Sequence, residues 1–278
     1  LLFAFDGTAN YENELTNVSL MYEAYRASHE EKKYYRGIGN KIDYSDFPVS
    51  RTTIQAFGFT LNDKVSKALV YLEQYLQQYN KKKSPVCDID IVGFSRGAIA
   101  AVRFAEKVKS ISKKYNIKNI RFAGLFDPVE GGIRDATTTR MNSFVRYAAI
   151  AYSITESRDV FQPTYYYPEV PENVFRYAPA IRSDRYVRPL FFWGGHSDVG
   201  GGYKDRGLSN ITLSWMIQEG IKAGAPFSTE GLNAHIVNNG FTHIVRRNQE
   251  DKFFYTHSHR VFPSWARSHS SVFKYSNG

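Results

Sequence analysis

At 278 residues, 42% of them hydrophobic and 15% aromatic, the chain can bury a sizeable core and fits one large α/β domain, residues 1–278, better than two small ones. A single cysteine excludes an internal disulfide framework, and no apolar stretch approaches the ~20 residues of a membrane span. The net charge of +9 suits an anionic membrane surface, but the basic residues are scattered, with only Lys81-Lys82-Lys83 in a run, so no nucleic-acid partner is expected.

LLFAF, residues 1–5, reads as a strand, and its position at the very start leaves a removed leader open. A helical stretch runs through Leu20 and Tyr25, and KKYYRGIG forms a second strand. From Thr52 to Tyr79, Val65, Leu69, Leu72 and Leu76 recur at helical spacing and lead into IDIV, a strand headed by Cys87, which reads as a small buried hydrophobe. Ala98 to Tyr115 is helical and IRFAGLF is the next strand. This alternation predicts a doubly wound α/β fold with a mostly parallel central sheet and helices on both faces.

After Pro128 the pattern loosens. VEGGIRDATTTR reads as loop, Phe144 to Tyr152 as helix, and PTYYYPEVPENVFRYAPAIRSDR is rich in proline and tyrosine. Residues 131–188 together are therefore expected to form a loop and helix insertion, a lid over the active edge. PLFFWGG restores a strand before HSDVGGGY, and GLSNITLSWMIQEGIKAG is a helix whose expected N-cap is Ser209 or Asn210.

A parallel sheet gathers its ligand-facing loops at the carboxyl ends of its strands, so the residues just past each apolar run are the first site candidates. Ser95 follows IDIV within Gly93-Phe94-Ser95-Arg96-Gly97 and opens a helix, the strand–turn–helix setting in which a G-x-S-x-G serine stands exposed as a nucleophile. The plainer reading is a structural turn serine. A serine hydroxyl needs a base, usually a histidine oriented by a carboxylate; Asp127 and His196 follow their own strands in the order Ser, Asp, His. Asp127 could otherwise serve only as a turn residue before Pro128. Asp198 is the rival acid, better placed for capping, and His257, His259 and His269 are fallback bases, His269 foremost. His257 and His259 have a spacing that also occurs in metal sites, without a second ligand pair nearby.

The oxyanion donors expected are the N–H of Arg96 and that of Gly7 or Thr8 in FDGTAN, although this turn could be purely structural. Asp6 is a supporting carboxylate. Gly200-Gly201-Gly202 lacks a phosphate-loop pattern and reads as close backbone packing beside the histidine. Tyr165-Tyr166-Tyr167 reads as core packing, with an acyl pocket as the other option. The serine chemistry requires neither cofactor nor metal. Two alternatives remain: a non-catalytic module that binds a partner or membrane, and a metal-dependent hydrolase using Asp6 and Asp198.

FDGTAN, GFSRGA, GLFDPV, AIAYSITESRDVFQP, FFWGGHSDVGGGY and GLSNITLSWMIQEG resemble, in the same order, the blocks of an α/β-hydrolase family that includes the phospholipase effectors of bacterial type VI secretion systems. The resemblance spans nearly the whole chain. AIAYSITESRD departs from the family's more usual block while keeping Glu156 and Arg158 in place. The resemblance implies a serine lipase or phospholipase with Ser95, Asp127 and His196 as its triad and a lipid or phospholipid substrate. It further implies secretion-apparatus or immunity-protein partners for a soluble protein, made in a bacterial cytoplasm and passed into a target cell.

Overall fold

The computed structural model describes residues 1–8, 10, 15–37, 53–81, 88–130, 141–156, 158, 161–166, 180–182 and 185–228. Cys87, Tyr167, the three C-terminal histidines and most of the proline- and tyrosine-rich stretch lie outside them.

Seven strands form one sheet: β1 (Leu2–Phe5), β2 (Lys32–Tyr35), β3 (Ile89–Phe94), β4 (Ile120–Phe126), β5 (Val145–Ser153), β6 (Ala180–Arg182) and β7 (Arg185–Phe192), in the order β2-β1-β3-β4-β5-β7-β6. All neighbours pair in parallel except β6, which runs antiparallel to β7 at the edge. The helices are α1 (Asn17–Ala24), α2 (Thr53–Lys81), α3 (Arg96–Tyr115), α4 (His196–Gly200) and α5 (Gly207–Lys222).

The helices cover both faces. On one face, Leu61, Val65, Leu72 and Leu76 of α2 and the small-residue face of α3 pack with Phe3, Phe5, Ile89 and Ile91. On the other, Val18 and Met21 of α1 and Leu213, Met216 and Ile217 of α5 pack with Leu2, Ala4, Val92, Phe122 and Phe126. With both faces buried, β3 is inaccessible along its whole length; its apolar run is interrupted by Asp90, whose carboxylate accepts from Tyr25 OH at 2.7 Å and from the Arg121 guanidinium. No helix among the described residues is long and apolar enough to cross a membrane.

Two expectations are corrected. Val145–Ser153 is a strand, not a helix, and it pairs with β4 on one side and β7 on the other. The stretch expected to be an insertion, residues 131–188, thus supplies the interior strand β5, the edge strand β6 and the start of β7, while residues 131–140 fall outside the described part. In addition, α5 begins at Gly207 after Arg206, so Ser209 and Asn210 lie inside its first turn. Both are buried there: Ser209 Oγ donates to the Arg206 carbonyl, and Asn210 Oδ1 accepts from Arg206 Nε at 3.2 Å.

Candidate active site

The parallel register brings the carboxyl ends of β1, β3, β4, β5 and β7 to one edge of the sheet, where the candidate residues collect. Ser95 forms the turn from β3 into α3 with φ +57° and ψ −126°, a left-handed conformation that costs a non-glycine residue on the order of 1–3 kcal/mol. Its amide donates to the Phe126 carbonyl at 3.0 Å and its carbonyl accepts from Ala98 N at 3.1 Å, which over-determine the turn. The hydroxyl makes no capping bond to α3.

Glycine is required on both sides of this serine. A Cβ on Gly93 would come within 2.6 Å of the Ala98 Cα, and one on Gly97 within 2.2 Å of the Phe5 carbonyl oxygen. The helix can press onto the ends of β1 and β3 only because those atoms are missing.

Asp127 stands one residue past β4 with φ +35° and is wholly buried. Its Oδ1 accepts from Ser153 N at 3.0 Å, and its Oδ2 meets His196 Nδ1 at 2.7 Å. His196, 4% exposed, opens α4, and its ring contacts those of Phe94 and Phe161 with centroids 4.6 and 4.7 Å away. The carboxylate fixes Nδ1 and aromatic surfaces hold the plane, which directs the other ring nitrogen to any proton transfer. No hydrogen bond joins Ser95 to His196 among the described residues; such contacts often tighten only around substrate.

The remaining candidates divide. Arg96 begins α3 immediately after the nucleophile candidate, and its Nη1 donates to Thr8 Oγ1 at 2.9 Å, tying the first strand's loop to the helix. Gly7 does not fit its expected role, because its N–H donates to Asp6 Oδ1 at 2.6 Å and is turned to that carboxylate rather than to an incoming oxyanion. Thr8 is left as the loop's candidate donor. Asp6 also accepts from Thr16 Oγ1 at 2.5 Å and from Tyr34 OH, so it anchors the loop; burial raises its pKa to about 6 although these donors pull the other way.

Asp198 is buried, and its Oδ2 accepts from Gly195 N at 2.9 Å, the capping role its position suggested. Among the described residues, no three or more His, Cys, Asp or Glu side chains are grouped to hold a metal ion. Gly200 packs against the Phe94 ring so closely that a Cβ would lie 2.0 Å from it, and Gly201 and Gly202 adopt φ of +84° and +102°. The Tyr165 ring lies tilted against that of Tyr152 with centroids 5.1 Å apart, and Tyr166 is 1% exposed, so both belong to packing.

Glu156 was not among the expected site residues. Three positions past the end of β5, its Oε2 accepts from the His196 amide at 3.0 Å, and Arg158 grips the same carboxylate. The carboxyl-end rule points to this position, but only once β5 is seen as a strand.

A model of the family described as T6SS phospholipase effector Tle1-like catalytic domain matches residues 1–113 and 103–219. Among solved structures, the crystal structure of an uncharacterized protein from Pseudomonas aeruginosa superposes with a TM-score of 0.53 at 22% sequence identity, over 82% of this chain and 46% of that one. That likeness concerns the fold, and the chain spans less than half the length of the solved protein. No curated protein matches the chain.

Proposed function

This chain belongs to the family of Tle1-like catalytic domains of type VI secretion phospholipase effectors, and from that premise we propose that it is a serine hydrolase cleaving carboxylic esters of phospholipids. The observation that carries the reading is the alignment of three strand ends: a strained turn serine after β3, and a buried carboxylate after β4 bound at 2.7 Å to the Nδ1 of the histidine after β7.

In this reading the Ser95 Oγ attacks the ester carbonyl carbon while His196 takes its proton, giving a tetrahedral intermediate. Asp127 holds the imidazole in the tautomer that accepts this proton and stabilises the imidazolium. The Arg96 N–H, with Thr8 from the first loop, faces the oxyanion. The carbon–oxygen bond to the alcohol then breaks, the alcohol leaves with the proton from His196, and the acyl group stays on Ser95. Water, deprotonated by His196, attacks the acyl-enzyme and releases the fatty acid. The domain acts as one unit, residues 1–278, and immunity or secretion partners follow from the family.

The test is Ser95→Ala with a fluorophosphonate probe. The parent is expected to be labelled and to hydrolyse phospholipid vesicles. The variant should lose both, with turnover down on the order of 10⁴-fold or more, while its melting temperature is kept because the side chain makes no cap and the substitution removes one oxygen. Labelling or turnover that survives in Ser95→Ala would remove Ser95 from the reaction.

A further inference from the structure

The short segment that leaves β5 touches both halves of the acid–base pair. Ser153 N donates to Asp127 Oδ1 at 3.0 Å, and Ser153 Oγ donates to the Gly194 carbonyl at 2.6 Å, two residues before the base. Glu156 N donates to that same Oγ at 3.2 Å, which turns the Glu156 carboxylate toward α4. Its Oε2 takes the His196 amide, a helix-start donor with no partner inside the helix.

Arg158 saturates the rest of the carboxylate. Its backbone N, Nε and Nη2 reach Glu156 at 2.9, 2.8 and 2.6 Å, a forked grip with planar geometry. The guanidinium carbon lies 3.9 Å from the centre of the Phe161 ring, and that ring meets the imidazole edge-to-face. A guanidinium therefore holds both the carboxylate behind the His196 backbone and the ring beside its side chain.

We propose that Glu156, with Arg158 as its counter-ion, is a positioning residue that fixes the backbone and ring of His196 between Asp127 and Ser95. The inference rests on the serine-hydrolase reading. An ion pair with one exposed partner adds little net stability, because solvent screens much of the attraction, whereas a forked pair specifies direction strongly. Burial works against the charged form of Glu156, but the hydrogen bonds from Arg158 and from the His196 amide outweigh it and hold the pKa at about 2. The grip therefore stays ionised through neutral and mildly acidic pH.

The test compares Glu156→Ala, Glu156→Gln and Arg158→Lys in the full chain, by the kcat and KM of p-nitrophenyl butyrate hydrolysis and by proton NMR. The NMR signal is the downfield imidazole N–H facing Asp127, assigned by its loss in His196→Ala. A misplacement of about 1 Å can cost about 100-fold, so Glu156→Ala should lose about 10- to 100-fold in kcat with KM unchanged, and its downfield signal should broaden or vanish. Glu156→Gln keeps an acceptor oxygen for the amide and should recover most of the loss; Arg158→Lys, which cannot fork, should fall between. A Glu156→Ala protein with parental kcat and signal overturns the proposal, and so does a loss confined to KM. If Glu156→Ala does not fold, a Glu156→Gln protein no better than Arg158→Ala overturns it. Should the parent prove inactive toward esters, the hydrolase reading fails, while the downfield signal in parent and variants still decides whether Glu156 positions His196.

Discussion

Asp6 is 2% exposed, and burial holds its carboxyl at a pKa of about 6, from an ordinary value of 3.8, even though Thr16, Tyr34, Gly7 and Asn10 all donate to it. The folded state thus binds the proton more tightly than the unfolded chain, so the stability linked to that proton is complete below about pH 4 and is lost as pH rises through about 6. At about 1.4 kcal/mol per tenfold change in proton affinity, the loss is on the order of 3 kcal/mol. Urea unfolding of parent and Asp6→Asn from pH 4 to 7.5 should show the parent weakening relative to the variant over that window; a constant difference would mean that Asp6 titrates like an exposed carboxylate. Asp127 invites a different exchange. Asn tolerates a positive φ, so Asp127→Asn should fold, yet an amide facing Nδ1 selects the wrong tautomer and turnover should drop about 10⁴-fold. In Asp198→Asn the side-chain oxygen still accepts from Gly195 N, and the loss should stay below about tenfold on the same assay. The opposite ranking would make Asp198 the acid.

Between residue and fold stands the joint of β3 and α3, where Gly97 lies against the Phe5 and Asp6 carbonyl oxygens at prospective Cβ distances of 2.2 and 2.4 Å. Both obstacles are backbone, which cannot rotate away, so Gly97→Ala should fall at or beyond the upper end of the 1–3 kcal/mol typical of overpacking, and should lower turnover by shifting Ser95. A denaturation midpoint equal to that of the parent would show that α3 has room to move. This joint was readable because its glycines, serine and flanking apolar runs are all local. The β5 strand was not. VRYAAIAYS sits between two parallel neighbours with six of its last seven positions fully buried, so the period-2 alternation that marks a half-exposed strand is erased, and its alanines suit a helix equally well. The consequence reached the proposed site: the pairing of Asp127 with His196 could be anticipated from the ends of their strands, whereas Glu156 follows a strand end that the pattern hid. The start of α5 shows a similar override, since Ser209 and Asn210 look like caps in sequence but are drawn into the helix by buried contacts with Arg206 and with Asn17, whose Nδ2 donates to the Ser209 carbonyl at 2.9 Å.

Over the whole molecule, the site edge and the charge together bear on how the proposed hydrolase would meet a lipid surface. Trp193 and Tyr203, 51% and 41% exposed, lie on either side of His196 in sequence, and side chains of that kind place an apolar body and a polar tip at a lipid–water boundary. The net charge of +9 adds a long-range attraction to anionic headgroups, up to about 1 kcal/mol for each basic residue near the surface. Hydrolysis of ester lipids should therefore run faster on vesicles of phosphatidylglycerol and phosphatidylethanolamine than on purely zwitterionic ones, and only the first rate should be strongly salt-sensitive. The screening length falls from about 10 Å at 0.1 M to about 3 Å at 1 M, which removes attraction across the bulk of the domain but leaves the enclosed contacts of the acid–base pair nearly untouched. Cleavage of p-nitrophenyl butyrate over the same series consequently acts as the internal control and should stay nearly flat. Parallel salt curves for vesicle and ester would assign the charge no part in docking. A vesicle preference that survives 1 M salt but disappears in Trp193→Ala would transfer the docking role from charge to the aromatic rim.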